Sequence, residues 1–117
     1  MKYKRDDNVY LQHIYDAAVK IGQYIHGIDE DNFLQNSLVQ DGVIRQLEII
    51  GEAIKNLSSE LRNRHPHISW RDFAGMRDKL IHQYFGVDLQ IVWTTATDDI
   101  PEIKEKINKI LEKEHVK

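Results

Sequence analysis

The fold class predicted for this chain is all-α, an up-and-down bundle of four to five helices. Three observations carry that prediction. Apolar residues recur at steps of three and four, strand-like alternation is scarce, and only two prolines and six glycines interrupt 117 residues. That length is near the modal domain size and leaves no room for two independent cores, so residues 1–117 are expected to form a single domain. At 41% hydrophobic and 30% charged, the composition fits neither a disordered polyelectrolyte nor a membrane protein.

The elements follow in order. A first helix is expected from a cap at Asp6 or Asp7, with an apolar seam of Leu11, Ile14, Ala18, Ile21 and Ile25, ending before Gly27. The polar turn GIDED leads to a short segment around Phe33 and Leu34. A second long helix then carries Val43, Leu47, Ile50, Ile54, Leu57 and Leu61, closed by Pro66. Ser69 and Asp72 are spaced as a weak capping box opening a third helix, from Trp70 to about Tyr84, with Gly75 as a point where it could break. Gly86 is a stop, Asp88 caps a short helix through Ile91 and Val92, and Ile100, Ile103, Ile107 and Ile110 stripe the last one.

Composition narrows the chemistry. Without cysteine there are no disulfides, thiolate metal sites or cysteine nucleophiles, so His, Arg, Tyr and carboxylates must supply any reactivity. The opening MKYKRDDNVYLQH lacks the apolar run of a signal peptide, and no stretch approaches the roughly 18 apolar residues of a membrane span, so a cytoplasmic protein with no membrane partner is expected. The formal charge of -3 argues against nucleic acid, but its distribution does not. Between Arg62 and His82, Arg62, Arg64, Arg71, Arg77 and Lys79 face only Asp72 and Asp78, five cations against two acids and a local +3. Arg64, Arg71 and Lys79 are the candidate RNA contacts; the alternative is an ordinary solvated face.

Within RDKLIHQY, a helical projection puts Asp78 and His82 on one face, four residues apart, where the carboxylate could orient the imidazole. Arg77 and His82 are about 140° apart around the axis, so one copy does not aim both at one point. Two copies across a two-fold axis would bring Arg and His from both chains into one cleft, which points to a homodimeric site. An Arg and a His suit RNA transesterification, the imidazole moving the proton of the 2′-hydroxyl and the guanidinium stabilising charge on phosphate. An exposed helix cation and a His capping carbonyls account for the same spacing.

RDKLIHQYFGVDLQIVW, with IRQLEIIGEAIKNL upstream and ISWRDFAGM between, resembles the HepT-like branch of the HEPN superfamily over roughly Val39 to Ile110. Arg77, Asp78, His82 and Tyr84 occupy the pattern of Arg, a polar residue, three residues, His, one residue, Tyr. The resemblance implies a HEPN-like dimer acting as a metal-independent endoribonuclease without cofactor, the toxin of a type VII-like toxin–antitoxin pair. It implies Arg77 and His82 as catalytic residues and an MntA-type nucleotidyltransferase as antitoxin. It further implies that this partner silences the toxin by AMPylation of Tyr84, adding bulk and negative charge to a cleft that must admit RNA. A core aromatic at Tyr84, and a non-catalytic nucleotide- or substrate-binding subunit of a nucleotidyltransferase complex, are the alternatives. Gly51 and Ala53 are read as packing residues where helices approach closely. His65 and His67 are read as loop histidines rather than a metal pair, and Trp70 and Trp93 as core or dimer-interface anchors.

Overall fold

Each expected apolar seam becomes a buried helix face. The computed structural model describes residues 2–82 and 86–116, with side chains from Asp7 to His82 and from Gly86 to Lys113. The order is α1 (Lys2–Ile25), α2 (Glu30–Leu34), α3 (Ser37–Lys55), α4 (Ser59–Arg64), α5 (Trp70–His82), α6 (Leu89–Thr94), a π-helical turn (Thr95–Asp99) and α7 (Ile100–Val116). Four rods dominate: α1, α3, α5 and the continuous run from α6 through α7. Leu11, Ile14 and Ile21 from α1, Val43, Ile50 and Ile54 from α3, and Ile100 and Ile107 from α7 are within 2% of complete burial. Fully burying each such side chain is worth about 1.5–3 kcal/mol. α1 packs against both α3 and α7, and α5 packs against α3, so α3 joins the apolar interior to the arginine-bearing helix.

Three boundaries differ from expectation. α1 begins at Lys2, so Asp7 is not its cap. Asp7 is instead buried, accepting bonds from the backbone N–H (2.8 Å) and the hydroxyl (2.7 Å) of Ser58. That tie explains the second difference: the run expected to stay helical to Pro66 is two helices. Asn56 ends α3, and Ser58 caps α4 by accepting from the Leu61 N–H. Apolar periodicity continues across the break because Leu57 and Leu61 remain buried on both sides of it. Third, α6 and α7 are joined rather than separate. The Ile100 N–H bonds the Thr95 carbonyl five residues back, while Pro101, lacking an N–H, cannot restore the four-residue ladder. The Thr97 hydroxyl donates to the Trp93 carbonyl at 2.9 Å and helps hold this turn.

The shorter elements are set by specific caps, of which Asp88 is expected from the sequence and Asp29 and Asn36 are not. Gly27 turns the chain at φ +79°, and Asp29 and Asn36 cap α2 and α3 through the N–H groups of Asn32 and Val39. Asp88 caps α6 by accepting from the N–H groups of Gln90 and Ile91. α5 runs unbroken through Gly75 to His82; the expected extension to Tyr84 lies outside the described residues.

Candidate active site

The site is built on a glycine. A Cβ at Gly51 would stand 2.2 Å from the Arg77 Cβ and 2.9 Å from its Cγ, with the Phe73 carbonyl at 3.1 Å. Only an absent side chain lets α5 lie this close to α3, as expected of Gly51; Ala53 is likewise buried. The crossing sets the base of the Arg77 side chain directly on the α3 backbone, and carboxylates hold its far end. Glu52 Oε1 accepts from Arg77 Nη2 at 2.7 Å, and Asp78 Oδ1 accepts from Nη1 at 3.2 Å. Lys55, one turn after Glu52, donates to the same Asp78 oxygen. The order Arg77, Asp78 on α5 thus reads against Glu52, Lys55 on α3 as alternating charge across a helix crossing.

This network fixes the Asp78 charge. The Lys55 hydrogen bond, reinforced by Arg77, holds its carboxyl below the ordinary carboxylate value, and partial desolvation does not reverse the shift. The Arg77 side chain is 26% exposed, half-shielded but open to a concavity of about 290 Å³ shared with Tyr10, His13, Arg45, Glu48 and Ile81. A guanidinium clamped on one side and open on another is suited to meet an anion entering from solvent.

The predicted site residues are not all gathered here. His82 is the last described residue of α5, is exposed and does not line the Arg77 concavity, as the helical projection implied for a single copy. The expected Asp78–His82 pairing is replaced, because Lys55 and Arg77 take the Asp78 carboxylate and no bond joins it to His82 among the described residues. Tyr84 lies outside the described residues. Arg71 and Lys79 line a separate groove of about 620 Å³ with Gly75, Met76 and Ile91, whereas Arg64 stands apart at the end of α4. Trp70 is buried, its indole N–H donating to the His65 carbonyl at 3.0 Å, and Trp93 packs on Phe33 with ring centroids 5.1 Å apart.

Sequence reasoning missed Glu52 and Lys55 as Arg77-side partners. Arg45 and Glu48 approach one another along α3 itself, at 3.8 Å, while Glu52 reaches across to α5. The available signal was Gly51 itself: a glycine inside a strong helix marks a crossing, and its neighbours on the same face then meet whatever crosses.

No helix among the described residues is long and apolar enough to cross a membrane. Comparisons with known proteins agree on one relationship. A family profile described as Ribonuclease HepT-like matches residues 14–110. A protein of Methanocaldococcus jannaschii named "Gamma-glutamylcyclotransferase and putative RNase" is 49% identical over 109 residues, 93% of this chain; the chain spans about half, 49%, of that protein's length. A "Putative RNase" of Caldanaerobacter subterraneus subsp. tengcongensis is 43% identical, covering 90% of this chain and 94% of its own. A "Probable ribonuclease HepT" of Thermococcus cleftensis is 46% identical, covering 92% and 97% respectively. No solved structure matches the chain. With the match extending from inside α1 to the last buried turns of α7, the chain belongs to the ribonuclease HepT-like family of the HEPN superfamily.

Proposed function

We propose that this protein is a cytoplasmic, metal-independent endoribonuclease that acts as a homodimer, cleaving RNA in a cleft to which each protomer contributes Arg77 and His82. The observation that carries the reading is the seating of Arg77. Its side chain is fixed by the Gly51 crossing and by Glu52 and Asp78, yet it borders an open concavity. Membership of a family named for ribonucleases supplies the substrate class.

In the reaction, one imidazole accepts the 2′-hydroxyl proton as that oxygen attacks the neighbouring phosphorus. The bond to the 5′-oxygen breaks, and an imidazolium returns a proton to this leaving group, leaving a cyclic phosphate and a free 5′-hydroxyl. Arg77 stabilises the charge that develops on the non-bridging oxygens, its donors already oriented before substrate arrives. His82 of each protomer serves the proton transfers. Because Arg77 and His82 diverge around α5, the second copy brings the imidazole to the guanidinium. Arg64, Arg71 and Lys79 contact RNA outside the reacting bond.

In this reading the protein is the toxin of a toxin–antitoxin pair, silenced when an MntA-type nucleotidyltransferase transfers AMP to Tyr84. The experiment is cleavage of single-stranded RNA by the purified dimer. Arg77→Ala and His82→Ala are each expected to lower the rate about 10²–10³-fold or more. Undiminished cleavage by His82→Ala would overturn the catalytic assignment. Co-expression with the partner is expected to add mass in multiples of AMP to the native chain and none to Tyr84→Phe; the same adducts on the Phe variant would move the modified residue elsewhere.

A further inference from the structure

A second cationic surface lies away from Arg77. Lys106, Lys109 and Lys113 follow one another on α7 at steps of three and four, so they share one face of the helix. That face meets the loop between α4 and α5, and together they enclose a groove of about 450 Å³, with Ile110 and Glu112 completing its α7 side. The loop contributes His65 and His67, whose rings stand 5.9 Å apart at 71°. It is braced from two sides. The Trp70 indole donates to the His65 carbonyl at 3.0 Å, and Lys106 Nζ reaches the His67 carbonyl at 3.4 Å across 39 residues of sequence.

The acids beside these lysines do not close the groove. Lys106 pairs with Glu102 at 3.2 Å and Lys109 with Glu105 at 3.6 Å, both one turn back along α7, and the Glu105 and Lys109 side chains are about 70% exposed. Pairs of this kind are weak, and a multiply charged ligand can exchange with them. Among the described residues lining the groove, three lysines face one carboxylate, Glu112. No third imidazole or carboxylate joins the two histidines among the described residues.

We propose that this groove is an exosite for the phosphate backbone of single-stranded RNA, holding the strand at the end of α5 remote from His82. The inference rests on the ribonuclease reading above. Lysines along a groove with ring faces at its wall are the combination that binds unpaired strands, the cations following the phosphates and the rings offering stacking surface to bases. An acidic protein segment would use the lysines but draw nothing from the exposed His67 ring at the groove wall. The groove shares no lining residue with the Arg77 concavity, so a strand bound there is held outside the reacting bond.

The test uses the full-length protein and a fluorescent 2′-O-methyl oligouridine, which binds but cannot be cleaved because its 2′-oxygen is blocked. Its affinity is measured over a series of KCl concentrations for the native chain and for Lys109→Gln/Lys113→Gln. Both lysines are exposed and near the C-terminal end of α7, and a thermal melt of the variant checks that folding is kept. The salt dependence of log affinity is expected to become shallower by about 1.4, roughly 0.7 per lost phosphate contact. Cleavage of a dinucleotide, too short to reach the groove, should keep its native rate. An unchanged slope would overturn the exosite, as would an unchanged slope accompanied by lost binding of an acidic protein partner. Because the probe is not a substrate, failure to cleave any RNA would count against the ribonuclease reading. RNA cleavage with an unchanged slope would count against the groove alone.

Discussion

Ile50 and Gly51 are adjacent on α3 and serve opposite purposes. Ile50 is completely buried in the apolar interior, among residues of α1 and α7 that give the chain its stability. Gly51 lies under Arg77, where the interface is made by an absent side chain and covered by Glu52, Lys55, Arg77 and Asp78. The first region is dense and insensitive to charge; the second is close-packed at backbone level and polar above it. One helix therefore separates what holds the protein together from what positions its guanidinium, and substitutions one residue apart should fail in different ways.

The largest effect is expected from the apolar side. Ile50→Ala removes three buried carbons and leaves a cavity, which should cost about 2–5 kcal/mol in chemical denaturation. Molecules that remain folded should cleave RNA at close to the native rate per folded molecule, since Arg77 and its carboxylates are untouched. Loss of activity beyond the loss of folded protein would erase the distinction between the two regions.

Next comes Gly51→Ala. The new methyl meets the Arg77 Cβ at a distance no packed pair tolerates, so α5 must move; overpacking of this kind costs about 1–3 kcal/mol, partly offset by the roughly 1 kcal/mol gained in helix propensity. The net stability change is thus smaller than for Ile50→Ala, whereas the activity loss should be greater because Arg77 is displaced. Gly75 is the control: nothing lies within 4 Å of a Cβ built there, so Gly75→Ala should stabilise by about 0.5–1 kcal/mol. If both glycine variants raised the melting temperature, the close crossing would not exist.

These contrasts show what was legible in the sequence. Steps of three and four located Leu11, Ile14, Ile21, Ile54, Ile103 and Ile107 in the interior, because burial of a helix face imposes that period whatever the partner. Gly51 was legible as a crossing because glycine inside a helix is unfavourable unless something lies close. The break at Asn56 to Ser58 was not, since it depends on Asp7, 51 residues away, and the apolar phase runs on through Leu57 and Leu61. The pairing of Arg77 with Glu52 was hidden for a related reason: it is set by the register of α5 on α3, and a local reading had assigned Asp78 to His82, its neighbour one turn away. Helical spacing supplies candidate neighbours within an element, and tertiary packing decides between them and partners from elsewhere.

The smallest expected effect separates two carboxylates by the sign of their pH dependence. Asp78, at the polar crossing, is held below the ordinary carboxylate value chiefly by the Lys55 hydrogen bond. Its contribution to stability is complete above that ordinary value and disappears as pH falls through the lowered native one. Asp99 is exposed in the π-helical turn but borders a small cavity between α5 and α7 with Asp72 and Glu102, and its pKa is raised, first by partial desolvation and then by Asp98, Glu102 and Asp72. Ionised Asp99 therefore opposes folding above its native pKa, and the cost fades as pH falls toward the ordinary value, where the folded chain binds the proton more readily than the unfolded one. At neutral pH, Asp78→Asn should lower the melting temperature slightly and Asp99→Asn should raise it. Both differences should vanish in acid, where the wild-type carboxyls are protonated in folded and unfolded chains alike. Melting curves for the three proteins from neutral to acid pH decide the matter. Shifts of the same sign at neutral pH would mean that the two carboxylates share one environment and that the polar crossing is not electrostatically distinct from the rest of the bundle.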